Sequence, residues 1–189
     1  IANKASAFYA RFGVNPDFEL RESDGQVPNL TKYLSWGSRD MELVNTGDEV
    51  LLLDAADQIV DKVSWGSSTF AFNPALVRPP ADATWARRLA YLDTDTAEDW
   101  VIQYLPDPWN ADLSTPTPLP TPTPPPTWTP TLTLTPTRTP TPTGVFKLLI
   151  SEVLPYPAGV SEPGGEWIEL YNAGEWAVCL EGLHLGDEE

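Results

Sequence analysis

The feature that most constrains this chain is a run of threonine and proline over residues 114–143, which reads STPTPLPTPTPPPTWTPTLTLTPTRTPTPT. Proline fixes φ and lacks a backbone N–H, so proline at every second or third position stops helices and sheets from propagating. The composition predicts a polyproline II linker that rises about 3.1 Å per residue and reaches on the order of 90 Å when extended. We interpret the tract as a spacer, and the alternative is a ligand for a polyproline-binding module.

The tract divides the chain into a large segment, 1–113, the linker 114–143, and a small segment, 144–189. Linkers of this composition are typical of extracellular multidomain proteins, and dense Thr-Pro repeats suit O-glycosylation. We therefore expect an extracellular or cell-surface protein of which this sequence is one part. No signal peptide and no long apolar run is visible, so membrane insertion is not expected.

The chain is strongly acidic, with 27 Asp and Glu against 11 Lys and Arg and a net charge of -16. Affinity for phosphate backbones and anionic bilayers comes from clustered Lys and Arg, and no such cluster is visible. Nucleic acid is therefore not an expected partner.

The hydrophobic pattern outside the tract is mostly that of β-strands. Residues 50–54 and 59–65 are apolar, β-branched runs separated by the short polar turn 55–58, which predicts a hairpin. Residues 6–12 predict one short helix that ends at Gly13. Short strands between Gly, Pro and Asn turns predict an all-β sandwich, and the other strand candidates are 85–91, 100–104, 146–154, 166–172, 178–180 and 183–185.

Residues 166–172, EWIELYN, alternate with period two. Trp167, Glu169 and Tyr171 fall on one face of the predicted strand, while Ile168 and Leu170 fall on the other. This pattern predicts a half-buried strand. Glu166 and Glu169 are three residues apart and point to opposite faces, so they are not expected to act as an acid/base pair.

Both segments resemble the lamin tail domain, an immunoglobulin-like β-sandwich found in nuclear lamins and in many bacterial secreted proteins. Residues 148–157 (LLISEVLPYP) and 166–187 resemble the start of that domain, whereas 1–14, 43–65 and 87–101 resemble its end and the tail that follows. The residues that carry the motif, all expected to be structural, are Glu152, Glu166, Trp167, Ile168, Glu169, Leu170, Tyr171, Asn172, Gly47, Asp48 and Asp61.

The order of these pieces, a domain end, a linker and a domain start, favours two incomplete tandem copies of the lamin-tail sandwich. A second arrangement stays open, in which the C-terminal segment folds back, or inserts into a neighbouring chain, and completes one sandwich. Exposed sheet edges favour such strand addition.

The acidic run 93–99 is the best metal candidate, because Asp93, Asp95 and Asp99 could offer oxygen ligands to calcium. Its spacing does not match an EF-hand, and the alternative is a solvated acidic turn that pairs with Arg87 and Arg88 at the surface, where such pairs contribute little.

The single cysteine and single histidine argue against zinc sites and Cys-His catalysis. Cys179 is predicted to be a small buried residue, and His184 a structural or surface residue. Most tryptophans are predicted to lie in the core, with any exposed ones available as a sugar- or peptide-binding platform; they are Trp36, Trp65, Trp85, Trp100, Trp109, Trp167 and Trp176, with Trp128 exposed in the tract.

The resemblance implies a non-catalytic structural or binding module of a secreted, multidomain bacterial protein that spaces or attaches its neighbouring domains. No catalytic residues and no cofactor are expected apart from the calcium candidate, and the expected partner is a protein or a surface glycan. The alternative function is an accessory domain of a secreted nuclease or other hydrolase whose catalytic domain lies elsewhere, because an immunoglobulin-like fold does not by itself name a function.

Overall fold

A computed structural model describes residues 1–31, 42–110, 147–160 and 163–186 of the chain. Most of these residues form two antiparallel sheets with one short helix, an arrangement consistent with a β-sandwich. The elements are α1 (Ala5–Phe12), β1 (Gly47–Leu53), β2 (Ile59–Gly66), β3 (Thr84–Arg87), a 3-10 turn (Ala97–Asp99), β4 (Trp100–Gln103), β5 (Leu148–Leu154), β6 (Trp167–Asn172) and β7 (His184–Gly186).

The two sheets take their strands from both sides of the Thr/Pro tract. The four-stranded sheet has the order β4-β3-β5-β6, and the three-stranded sheet has the order β2-β1-β7. In the first sheet Trp85 lies opposite Val153, and in the second Leu52 lies opposite Leu185. The C-terminal segment thus supplies a central strand of one sheet and an edge strand of the other.

The predicted hairpin is confirmed as β1 and β2, which pair antiparallel from Gly47 opposite Gly66 to Leu53 opposite Ile59. The carboxylate of Asp54 closes the turn by accepting hydrogen bonds from the backbone N–H groups of Ala56 (2.8 Å) and Gln58 (3.0 Å). Short Asp side chains favour such turns because they mimic the next backbone carbonyl.

The predicted helix is also confirmed, one residue longer than expected, as α1. It ends because Gly13 adopts a left-handed conformation with φ of 75° and donates its N–H to the carbonyl of Tyr9. Glycine takes this conformation without the steric cost that a Cβ would bring.

The main core lies between the two sheets. Trp65, Val50 and Val63 of the three-stranded sheet share one cluster with Ile150 and Ile168 of the other. These five side chains are fully buried, and burial of each contributes about 1.5–3 kcal/mol. The hydrophobic contacts therefore join the two segments.

A smaller cluster covers part of the opposite face of β6. Phe8 of α1 and Trp167 pack edge to face with ring centroids 6.0 Å apart, beside Leu154 and Ala2. Trp167 is therefore buried, and the strand predicted to be half-buried is covered on both faces at its start. Its second half, from Glu169 onward, is half-buried as predicted.

Several predicted strands differ from the observed ones in length. The run 85–91 is a strand only up to Arg87, and 100–104 ends at Gln103. Residues 178–180 lie in no strand, so that prediction was wrong. The linker 114–143, Trp36, Trp128 and residue 146 lie outside the described residues. The described residues also contain no helix with the length and apolar character needed to cross a bilayer.

Candidate functional site

The most heavily connected polar group in the described residues is a buried ion pair between the two sheets. Arg87 of β3 donates from Nη2 to both carboxylate oxygens of Asp61 on β2, at 2.7 and 2.8 Å. The side chains of Arg87 and Asp61 are 1% and 2% exposed. A charge-assisted contact whose two groups also make further hydrogen bonds compensates in part for burying two charges.

The same pair also holds the backbone of the C-terminal segment. Asp61 Oδ2 accepts a hydrogen bond from the N–H of Ile150 at 2.7 Å, and Arg87 Nε donates to the Ile150 carbonyl at 2.8 Å. Strand β3 pairs with β5 at Trp85 and Ala86. Two residues before Glu152 on β5, the side chains of Asp61 and Arg87 bond the backbone groups of Ile150 that a longer β3 would otherwise have bonded.

The remaining donors of Arg87 organise the acidic turn. Its Nη1 donates to the Leu92 carbonyl at 3.1 Å and to Asp93 at 3.3 Å, and it lies 3.6 Å from a carboxylate oxygen of Asp99. The guanidinium carbon lies 4.7 Å from the ring centroid of Trp100. A cation over an indole ring is favourable, and more so where water is excluded.

The expectation that Arg87 pairs weakly at the surface was therefore wrong. The residue is buried because β3 is an inner strand of its sheet and its side chain points toward the opposite sheet. The neighbouring Arg88, in contrast, is exposed and donates from Nε to the carbonyl of Glu98 at 2.9 Å.

The three carboxylates of the calcium hypothesis have different roles in the turn. Asp99 is buried and accepts hydrogen bonds from Thr94 through its N–H (2.7 Å) and its hydroxyl (2.8 Å). Asp93 accepts from the N–H of Asp95 at 3.2 Å and faces Arg87. Within the described ranges, no three Asp, Glu, His or Cys side chains are grouped so as to hold a metal ion.

The carboxylate of Glu152 lies in a second buried polar site, on β5. Its Oε1 accepts a hydrogen bond from the Thr84 hydroxyl at 2.5 Å, and the residue is 4% exposed. Burial and the nearby charge of Glu169 raise the pKa of Glu152 to about 7, although the Thr84 hydroxyl opposes the shift. The group therefore titrates near neutral pH.

Glu166 and Glu169 serve separate contacts, as their spacing predicts. Glu166 accepts a hydrogen bond from the N–H of Leu43 at 3.1 Å. Glu169 accepts from the backbone N–H of Trp109 at 2.5 Å and from the Ser151 hydroxyl at 2.6 Å. Each carboxylate ties β6 or the residue before it to another part of the chain.

The other motif residues are distributed through the fold. Gly47 begins β1, and the carboxylate of Asp48 accepts hydrogen bonds from the N–H groups of Val44 (2.6 Å) and Glu49 (3.0 Å). Asn172 at the end of β6 donates to the Trp176 carbonyl at 2.8 Å. Ile168 is buried in the main core, Leu170 packs against it, and Tyr171 is half-buried.

One organising residue had no signal in the sequence. Glu19 is fully buried and accepts hydrogen bonds from the backbone N–H groups of Ala5 (2.8 Å), Ser23 (2.9 Å) and Asp24 (3.1 Å), and from the Ser23 hydroxyl (2.6 Å). Burial acts to raise the pKa of Glu19, but these four donors outweigh it and hold the pKa below its ordinary value. A single Glu in a loop gives no pattern from which this role can be predicted.

Two predictions about isolated side chains have different outcomes. Cys179 is exposed, so its predicted burial was wrong; it lies in the irregular segment before β7 and not in a strand. His184 is a half-buried residue of β7, 3.7 Å from the carboxylate of Asp57.

The tryptophans follow the prediction in part. Four are buried in the core, and Trp109 and Trp176 are 49% and 59% exposed. The four buried ones are Trp65, Trp85, Trp100 and Trp167.

Comparison with known proteins adds no identification. No family model, no curated protein and no solved structure matches this chain. The resemblance to the lamin tail domain therefore rests on the motif residues themselves.

Proposed function

We propose that this chain is a non-catalytic structural module, of lamin-tail and immunoglobulin-like type, in a secreted or cell-surface multidomain protein. The module attaches and spaces neighbouring domains by strand complementation: the C-terminal segment completes a sandwich that the N-terminal segment begins. Where the C-terminal segment completes the sandwich of a neighbouring chain instead, the Thr/Pro tract sets how far apart the two sandwiches lie.

The network of Asp61, Arg87 and Ile150 carries this proposal. Two charged side chains of the N-terminal segment bond both backbone groups of one residue in the C-terminal segment. Glu166 and Leu43 make a further contact between the segments. The buried charges are thus used to fix one segment against the other, which is the chemistry of an assembly element.

The test uses the whole chain with a protease recognition site placed within residues 114–143. The folded protein is cleaved and passed over a size-exclusion column in native buffer and again in urea. Strand complementation predicts that the two fragments co-elute in native buffer and separate in urea. If each segment instead belongs to an independent tandem domain, the fragments separate as soon as they are cleaved.

A second measurement tests the compartment. Antibodies raised against the chain should label intact, unpermeabilised cells of its source or detect it in the culture medium. Detection only after the cells are lysed would contradict the secreted part of the proposal.

A further inference from the structure

The segment that follows β4 crosses the four-stranded sheet from one edge to the other. The two edge strands of this sheet are β4 and β6. Residues 104–110 leave β4 after Gln103, and the backbone N–H of Trp109 donates to Glu169 of β6 at 2.5 Å. The ring of Trp109 packs edge to face against Phe8 of α1, with ring centroids 5.3 Å apart. We call residues 104–110 the strap, because they tie the two edges together.

The strap helps to bury the carboxylate of Glu152 on the outer face of the sheet. Val153 packs in the main core, so the preceding residue, Glu152, points to the opposite face. There Glu152 accepts hydrogen bonds from the Thr84 hydroxyl of β3, at 2.5 Å, and from the backbone N–H of Asp107 in the middle of the strap. Glu152 is only 4% exposed in this position. Release of the strap would therefore open its carboxylate to water.

Three carboxylates lie close together at the strap. Burial disfavours the ionised form of Glu152, and the charges of Glu169 on β6 and Asp107 on the strap disfavour it further. Glu169 also faces the amino group of Ile1. The groups that favour ionised Glu152 are two hydrogen-bond donors, the Thr84 hydroxyl and the Asp107 backbone. The closed strap therefore holds Glu152 more easily as a neutral acid than as an anion.

The position of the strap is linked to the protonation of Glu152. Burial is the largest cause of its raised pKa, which is about 7 against an ordinary value of 4.5. Release of the strap hydrates the carboxylate and removes the charge of Asp107, so the pKa returns toward its ordinary value. The form with the higher pKa is favoured when the group is protonated. The strap is therefore held most firmly at acidic pH and loosens as pH rises.

The end of the strap also stores backbone strain. Trp109 has φ of 71°, a left-handed conformation that is uncommon for a bulky residue. Such a conformation persists only where surrounding contacts hold it. Here the hydrogen bond to Glu169 and the ring contact with Phe8 are two of those contacts. The strain favours release once the remainder of the strap is weakened.

We propose that residues 104–110 form a pH-sensitive strap, which is closed over Glu152 when this carboxylate is protonated and is released when it ionises. The Thr/Pro tract begins at residue 114, shortly after Asn110. A closed strap brings the chain to the tract from the β6 side of the sheet. A released strap lets it leave from the end of β4, about 14 Å away across the strand spacings of the sheet.

The strap thus changes the point from which the linker extends. Its use in spacing domains rests on the proposed function, but its opening does not, since the strap can open while the two segments stay assembled.

The test is amide hydrogen exchange of the full chain, labelled with ¹⁵N at tryptophan and measured by NMR at pH 5.5 and pH 8. The Trp109 signal is assigned with Trp109→Phe, and each rate is divided by the intrinsic rate at that pH. A pKa of about 7 in the closed form and 4.5 in the released form predicts that the protection of Trp109 falls about 25-fold between these pH values. Trp85, which pairs with Val153 of the other segment, is the internal reference, and its protection should not change.

Three variants connect the effect to the strap. Glu152→Gln keeps the shape of the side chain and cannot ionise, so its Trp109 protection should agree at both pH values within about twofold. Asp107→Asn changes an exposed side chain and removes one repelling charge, so the fall should be smaller than in the parent protein, a result that does not depend on the folding of Glu152→Gln. Glu181→Gln, also exposed, should behave as the parent protein does.

Two results would overturn the proposal. In the first, the protection of Trp109 does not change with pH in the parent protein, or it falls equally in Glu152→Gln. In the second, Trp85 loses protection together with Trp109, which would mean that the whole sandwich opens and not the strap.

Discussion

The guanidinium of Arg87 donates two hydrogen bonds to the carboxylate of Asp61 from the opposite sheet, with both side chains almost completely buried. The position of the pair matters for stability, because Asp61 also accepts a hydrogen bond from the N–H of Ile150 and Arg87 donates one to its carbonyl. Removal of either partner leaves an uncompensated buried charge and an unsatisfied backbone group.

We therefore expect Arg87→Met to lower the free energy of unfolding by about 3–5 kcal/mol. The matched control is Arg88→Met, which removes an exposed guanidinium and should cost less than about 0.5 kcal/mol. Urea denaturation followed by Trp fluorescence measures both variants. Equal losses for the two variants would show that the buried pair has no special role.

Because the pKa of Glu152 is raised, we expect the free energy of unfolding to depend on pH. Its pKa is raised from 4.5 to about 7 in the folded state, so the folded protein binds more protons than the unfolded chain between these values. Stability contributed by this group is full at acidic pH and is lost as pH rises from about 4.5 to about 7, by up to about 3 kcal/mol.

The variant Glu152→Gln keeps the shape of the side chain and cannot ionise. We expect it to abolish this part of the slope in a series of urea melts between pH 4.5 and 7.5. Glu181→Gln, at an exposed position, should leave the slope as it is. If the free energy of unfolding of Glu152→Gln still falls with pH as in the parent protein, groups other than Glu152 cause the dependence.

The lowered pKa of Glu19 has the opposite effect: we expect its contribution to the free energy of unfolding to fall as the pH falls. Its pKa lies below the ordinary value, so its contribution is present above about 4.5 and is lost as pH falls through the folded-state pKa. Glu19→Ala removes an acceptor for three backbone N–H groups and should cost about 2–3 kcal/mol at neutral pH. Glu22→Ala, an exposed neighbour, is the control and should melt within a few degrees of the parent protein.

At Gly66, the last residue of β2, any side chain would collide with the backbone of the residue before β1. It has φ of 62°, and a Cβ there would lie 2.0 Å from the carbonyl oxygen of Thr46. Gly66→Ala should therefore lower stability by about 1–3 kcal/mol. Gly25→Ala, where a Cβ meets no atom within 4 Å, should leave the melting temperature unchanged or slightly raised. Similar melting curves for the two variants would argue against this hairpin geometry.

Cys179 provides a direct test of exposure. Because the thiol is exposed, a thiol reagent such as dithionitrobenzoate should react with the folded protein as fast as with the protein in urea. Cys179→Ser should change the free energy of unfolding by less than about 0.5 kcal/mol. If the thiol reacts only after the protein is unfolded, Cys179 is buried, as the sequence predicted, and not exposed.

Local patterns in the sequence were enough to predict part of the local structure. The hairpin of β1 and β2 and the helix ending at Gly13 follow from alternation, turn residues and a glycine stop. Two antiparallel sheets also follow from the strand pattern. The lamin-tail type of that sandwich remains a prediction from the motif.

The candidate site was predictable only in part, because its partners are far apart in sequence. Nothing near Arg87 indicates that its side chain meets Asp61, 26 residues earlier, and Ile150, 63 residues later. Cys179 was misjudged because flanking apolar residues predict burial only where a strand forms. The spacing of Glu166 and Glu169, in contrast, was sufficient to separate their roles.

The pairing of β3 with β5 has a consequence for chain entropy. Ala86 and Glu152 are partners in one sheet although the whole Thr/Pro tract lies between them in the sequence. For a flexible loop, the entropic cost of closure rises only with the logarithm of its length, by about 0.6 kcal/mol for each doubling, whereas a stiff, proline-rich loop deviates from this scaling. The sandwich therefore tolerates changes in the length of the tract best where added residues make it more flexible, and least where they make it stiffer.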